Sequence, residues 1–285
     1  MTLYVFLLVI FSPCCHATWN FVARKAAGNL MAIWLGLWIG CATVLPVALA
    51  VVIRNGVRAA TELTGIFCII ATGLIHGVYF RLLAAAYEEG EISLVYPIAP
   101  GSGIVFTAIL AGLLLKEQLT LLGAIGIGLV CLGIISLGRD AHQRVHDTKA
   151  IRLALCIGAS IVAYSFVDKT GVGYIHPVVY IWSMFLIAAL ALTPLLIRRY
   201  RVGFAKEARQ NIGYALIIGV GSVGTYLMIL FAYTMGPINY IVAVREFAVV
   251  LGVLAGVLFL KERLTLAKAL AICIIVIGVI GIKLG

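Results

Sequence analysis

The sequence predicts an all-α integral membrane protein of ten transmembrane helices arranged as two inverted five-helix repeats. Three observations carry that prediction. Of the 285 residues, 64% are apolar and only 11% charged, and the mean hydropathy of +1.16 lies far above that of a soluble domain. Roughly 20 apolar residues cross a bilayer core as one helix, and ten such stretches follow one another with short polar interruptions. A five-residue phrase, KEQLT at Lys116 to Thr120, returns 145 residues later as KERLT at Lys261 to Thr265.

The stretches run 2–25, 31–53, 63–87, 92–115, 119–138, 151–170, 177–197, 212–235, 237–260 and 264–284, referred to below as spans 1 to 10. Span 1 resembles a secretory leader at first sight, but it has no basic start and no small-residue cleavage site, so it is expected to be a membrane helix. Span 4 contains the Pro-Gly-rich stretch PGSG, which predicts a kink and carbonyls released from the helix ladder. The longest polar stretches, 138–150 and 198–211, are short enough to be plain connectors.

The net charge of +10 does not point to nucleic acid, because most Lys and Arg lie in loops and helix ends, where cations meet lipid headgroups and set topology. All seven cysteines sit in apolar segments, where a thiol behaves as a small hydrophobe, and their odd number argues against a disulfide framework. Cys14, Cys15 and His16 lack the converging spacing of a metal site. No cofactor and no metal is expected.

The offset that links the two pentapeptides also superposes WNFVARK (19–25) on YSFVDKT (164–170), and with a one-residue insertion AYEEGEIS (86–93) on AYTMGPIN (232–239). The chain therefore reads as two repeats, 1–140 and 141–285. Five spans per repeat is an odd number, so the second copy enters the membrane from the opposite side. The pentapeptide itself reads as structural: Lys and Glu close one helix and Thr caps the next.

At this point the sequence resembles the drug/metabolite transporter superfamily, in its EamA-type branch. The likeness covers nearly the whole chain. It is carried by WNFVARK in span 1, by the run from AYEEGEISLVYPIAPGSG to KEQLTLLGAIGIGLVCLGI in spans 3 to 5, and by the run from AYTMGPINYIVAVREF to KERLTLAKALAICIIVIGVIGI in spans 8 to 10. Family members usually carry Gly before the Glu of these turns, where this chain has Lys116 and Lys261. The resemblance implies a secondary transporter or exporter of small metabolites in a bacterial-type inner (cytoplasmic) membrane.

Ionisable groups deep in a membrane helix are costly and usually face a cavity or a partner, so the few that interrupt the apolar spans are the candidates. Arg245 and Glu246 lie near the middle of span 9. Adjacent helical residues point about 100° apart, so each is expected to find its partner elsewhere. Glu246 is the carboxylate at mid-membrane depth and the candidate proton carrier; an Arg holding it would favour recognition of a substrate ammonium instead. Span 1 carries His16, Asn20 and Arg24 on one stripe, matched in span 6 by Ser160, Tyr164 and Asp168. Arg24 and its repeat partner Lys169 are expected to snorkel to headgroups, whereas His16 and Asn20 lie deeper.

Span 3 offers His76 and Arg81; span 4 presents Ser93, Tyr96 and Pro100 along one face. In span 8, Ser222, Tyr226 and Tyr233 share a face, with Tyr233 read as interfacial. Tyrosines supply ring area and a hydroxyl, which suits a pocket for small amphipathic molecules. The expected substrate-binding set is Arg245, Glu246, Tyr96, His76, Arg81, Asn20, His16, Tyr226 and Ser222.

The expected partners are a small-molecule substrate and the lipid bilayer, with no nucleic acid, and the chain is expected to be a monomer or homodimer. Export of amino-acid-like or amphipathic solutes is the first functional expectation. Uptake of a small organic anion, a phosphonate or carboxylate, is the second, because Arg81 and Arg245 would clamp an acidic group. A membrane enzyme finds no support in the motifs: His142 and His146 are four apart but lie in a polar loop. A non-transporting membrane subunit is the remaining class. Orientation receives two opposed arguments. The 5–6 and 7–8 connections with their flanks hold nine Lys and Arg, which the positive-inside rule places in the cytoplasm with both termini outside. The family pattern, and Arg54 and Arg58 in the 2–3 loop, place both termini inside.

Overall fold

The computed structural model describes residues 2–26, 29–56, 61–88, 92–142, 148–259 and 264–285. All described regular structure is helical: α1 (Leu3–Lys25), α2 (Leu30–Asn55), α3 (Leu63–Glu88), α4 (Ile92–Leu114), α5 (Leu121–His142), α6 (Thr148–Gly171), α7 (Pro177–Arg199), α8 (Phe204–Met235), α9 (Ile238–Arg245), α10 (Ala248–Phe259) and α11 (Leu266–Leu284). Seven of these are long and apolar enough to cross a bilayer. Large apolar side chains such as Phe11, Phe67, Leu113 and Leu258 point outward, as expected where the surrounding medium is lipid.

The offset of 145 carries α1 onto α6, α2 onto α7, α3 onto α8, α4 onto α9 and α10 together, and α5 onto α11. The fold is thus ten spanning units in two inverted five-helix repeats, with the ninth unit in two pieces. The repeats do not sit side by side. Helix α1 packs on α8 and its mate α6 on α3; α2 packs on α8 and α7 on α3; α5 pairs with α11 and α2 with α7. Each of these contacts joins one repeat to the other.

The α5–α11 seam shows the twofold relation at residue level. A Cβ on Gly126 would lie 2.7 Å from the Gly278 carbonyl oxygen, and one on Gly133 would lie 2.9 Å from the Ala271 carbonyl oxygen. Adding 145 turns Gly126 into Ala271 and Gly133 into Gly278, so the second contact is the first one exchanged between repeats, as in an isologous interface. Small residues let backbones approach where lipid offers no hydrophobic drive for helix association.

Polar staples close both ends of the bundle. On the face that holds both chain ends, Glu117 accepts hydrogen bonds from the Ile238 and Asn239 amides (2.9 and 3.4 Å), capping α9 from the other repeat. Lys169 donates to the carbonyls of Tyr233 and Gly236 (2.6 and 2.7 Å), capping the C-terminus of α8. The tight α8–α9 turn is therefore held by an anion on its amides and a cation on its carbonyls, each matching the local helix dipole. This corrects the snorkelling expected of Lys169: the ammonium finds carbonyls nearer than headgroups. The Arg24 side chain lies outside the described residues. At the opposite face, Asn29 donates to Glu207 (2.7 Å), which also accepts from Asn211 (3.0 Å).

Both pentapeptide threonines cap as expected: Thr120 accepts from Gly123 (3.0 Å) and Thr265 from Lys268 (3.2 Å). Lys261 and Glu262 lie outside the described residues. Two span boundaries differ from expectation. Helix α8 begins at Phe204 rather than 212, so part of the polar 198–211 stretch is helical, anchored by the Glu207–Asn211 contact. Helix α4 runs unbroken through Pro97 and Pro100, and the interruption falls instead in span 9, at Arg245–Glu246, the repeat positions of Pro100–Gly101.

Lys116 occupies left-handed backbone at φ 54°, which explains why Gly is the usual residue before this Glu. An L side chain there costs roughly 1 kcal/mol or more. Lys116→Gly is expected to raise the thermal midpoint of the detergent-solubilised protein, by about 1 kcal/mol of stability, read from a melting curve beside wild type.

Candidate functional site

Spans 1, 3, 6, 7, 8 and 9 converge at mid-depth on a small cavity lined by His16, Trp19, His76, Tyr79, Phe80, Tyr164, Phe185, Ser222, Thr225, Tyr226 and Arg245. Both repeats contribute to the wall. Its volume is about 40 Å³, room for roughly three water molecules, so a metabolite enters only when these side chains part.

His76 is the hub of the ring cluster. It stacks on Tyr164 at 4.4 Å between centroids and meets Tyr226 edge-on at 5.2 Å. Its Nδ1 lies 2.9 Å from the Thr72 carbonyl oxygen. A carbonyl only accepts, so Nδ1 donates and Nε2 is left as the acceptor of the neutral ring. Trp19 meets His16 edge-on at 5.2 Å, and its buried indole N–H has no hydrogen-bond partner among the described residues.

Arg245 and Glu246 are both buried, at 5% and 7% exposure, and they pair with each other. Arg245 Nη2 and Nε donate to Glu246 Oε1 at 3.1 and 3.3 Å. The expectation of separate partners is overturned here, for a physical reason. That expectation rested on side-chain directions in a regular helix, but α9 ends at Arg245 and the next amides bond three residues back, Glu246 to Ala243 and Phe247 to Val244. Both side chains are long enough to bend together around this interrupted turn, and lipid offers neither a better partner. The guanidinium also sits 6.0 Å from the Tyr164 ring centroid, within cation–π range.

The remaining expected residues divide. Tyr226 and Ser222 line the cavity, although the Ser222 hydroxyl donates to Gly219 (3.1 Å). Asn20 is buried behind it, donating to the His16 carbonyl (2.9 Å). Arg81 is exposed on the outside of α3 and does not reach the site, because residue 81 falls on the α3 face turned away from the cavity. The side chains of Ser93, Tyr96 and Pro100 lie outside the described residues, as do those of His142 and His146. Tyr233 is buried within the protein, at 1% exposure, two residues before the end of α8 at Met235.

Asp168 is not among the expected binding residues, yet it is wholly buried, and its two carboxylate oxygens accept from Tyr180 (2.9 Å) and from Tyr226. Its place on the Ser160–Tyr164–Asp168 stripe is legible in the sequence; its depth is not, because it lies four residues before the next turn.

A family model described as the EamA-like transporter family matches residues 3–139 and again residues 148–284. The chain belongs to the EamA-like transporter family. The two matches divide the chain as the internal repeat does, and the family is one of membrane transporters of small solutes. A crystal structure titled only as that of a protein superposes with a TM-score of 0.69, over 97% of this chain and 96% of its own, at 19% identity, which speaks to the fold alone. A comparison with curated proteins found no match.

Removing one partner of a buried ion pair leaves an uncompensated charge, which costs about 3–5 kcal/mol, whereas replacing both by apolar residues is often neutral. Glu246→Gln is therefore expected to lower the melting temperature of this EamA-like protein clearly, and the double variant Arg245→Met with Glu246→Met to restore most of the loss, in paired melting curves.

Proposed function

We propose that the chain is an alternating-access secondary transporter that exports amino-acid-like or amphipathic metabolites across a cytoplasmic membrane. The observation that carries this reading is the central cavity, because it combines rings from both inverted repeats with the Arg245 guanidinium, whose partner Glu246 lies outside the lining. Aromatic walls suit the apolar part of an amphipathic solute. Arg245 lines the cavity and its partner Glu246 lies next to it, so a zwitterion whose carboxylate meets Arg245 and whose ammonium draws Glu246 would exchange one ion pair for two. The unpartnered Trp19 N–H adds a donor for a carboxylate oxygen.

Alternation follows from the packing. Nearly every extensive seam joins the two repeats, so tilting one against the other closes the site at one face as it opens at the other. The cavity of about 40 Å³ fits a contracted stage of that cycle, and loading expands it. The anion-uptake alternative is weakened, because Arg81 lies outside the site and Arg245 is neutralised by Glu246.

The test is counterflow into proteoliposomes with L-leucine, L-phenylalanine, phenethylamine, benzoate and methylphosphonate as labelled probes. Exchange of the amino acids, reduced at least about tenfold by Arg245→Ala, is the expected result. Exchange of benzoate or methylphosphonate alone would favour the anion reading, and exchange of none would count against both substrate classes.

A further inference from the structure

Glu246 is the natural first candidate for a titrating carboxylate, but the structure locks it against Arg245 (3.1 Å). Asp168 on α6 is a carboxylate free of such a lock. It is 0% exposed, and its oxygens are met by neutral hydroxyls alone among the hydrogen bonds of the described residues. Tyr180 on α7 donates to Oδ1 (2.9 Å) and Tyr226 on α8 donates to Oδ2. The cation next to it in sequence, Lys169, is committed to the carbonyls of Tyr233 and Gly236.

Resting on the transporter reading above, we propose that Asp168 is the proton-binding carboxylate of the transport cycle and that Tyr226 relays its state to the cavity. The geometry joins the two directly. Tyr226 is a wall of the cavity and touches His76 edge-on, while its hydroxyl donates to Asp168.

The ionised carboxylate only accepts, so both tyrosines must point their hydrogens at it. When hydronium at one membrane face gives up a proton to Oδ2, one hydronium O–H bond breaks, one O–H bond to Oδ2 forms, and that oxygen becomes a donor. Tyr226 then accepts from it, and the tyrosine O–H is released toward the cavity and a solute. Loss of the proton to the other face breaks the same O–H bond and draws the Tyr226 hydrogen back to the carboxylate. At that face water takes the proton and a hydronium O–H bond forms.

The groups around Asp168 are few. Cys68 and Thr72 on α3, Tyr164 on α6, Tyr180 on α7, Tyr226 and Tyr233 on α8, and Arg245 on α9 all interact with it electrostatically. Helix α4, which also packs on α6, carries no acidic or basic residue. Arg245 is the one full cation in this set, and Glu246 already balances it.

Two measurements on the full-length protein in liposomes test the proposal. The first is an infrared difference spectrum between acid and neutral pH, which shows the carbonyl stretch of a carboxyl group that gains a proton. A band absent from Asp168→Asn and present in Glu246→Gln and Tyr226→Phe is expected. The second compares accumulation of L-leucine or L-phenylalanine driven by a one-unit pH gradient with counterflow of the same solute. In Asp168→Asn and in Tyr226→Phe the inside-to-outside accumulation ratio is expected to fall toward one, from up to about tenfold for one proton per solute, while counterflow reports whether the variant still exchanges. A band that survives in Asp168→Asn, or an accumulation ratio unchanged in that variant, overturns the proposal. If neither probe exchanges in the wild type, the substrate class above fails, and the infrared result still decides for or against Asp168.

Discussion

A charge inside a bilayer has no water to turn to, so each one must be matched within the protein. The rest of the structure follows from how this chain meets that constraint. Arg245 and Glu246 match each other at the one place where a spanning unit is interrupted among the described residues. Lys169 and Glu117 match the two dipole ends of the α8–α9 turn. Asp168 is matched by two tyrosine hydroxyls rather than by a cation. The polar side chains that a soluble protein would scatter over its surface are here concentrated at the middle and the two ends of the bundle.

The inverted repeat gives the proposed alternating access its structural basis. Nearly every extensive helix seam crosses from one repeat to the other, and the Gly126–Gly278 and Gly133–Ala271 contacts are the same contact exchanged between copies. A pseudo-twofold seam has two equivalent tilts, which is what alternating exposure of a central site requires. Symmetry is broken at one functional position. The first repeat has Pro100–Gly101 in a continuous helix, whereas the second has Arg245–Glu246 at a break, so the charged lining of the cavity comes from one copy alone.

Much of this was legible in the sequence. Length, hydropathy and the offset of 145 were enough for ten spans, their order and the inversion, because lipid imposes one regular structure on each span and a repeat copies its contacts. Arg245, His76, His16, Ser222 and Tyr226, which line the cavity, were legible as candidates because polar groups in apolar spans stand out. What sequence did not show was geometry across helices. The Arg245–Glu246 contact required knowing that the helix breaks, and nothing local marks that break: the prolines that suggest one lie in the other repeat. The burial of Asp168 and the capping role of Lys169 required knowing that α6 faces α8 near that end. Arg81 misled for the converse reason, since an arginine in a span looks alike from either side until the neighbours are placed.

The central claim is that the cavity communicates with both faces of the membrane in turn. It is tested most directly by placing a cysteine at Ser222 and measuring, peptide by peptide, its modification by a membrane-impermeant thiol reagent added to right-side-out or inside-out vesicles. Modification from each face, slowed from both by a bound solute, is the expected result. Modification from one face alone, whatever the solute or pH, would contradict it.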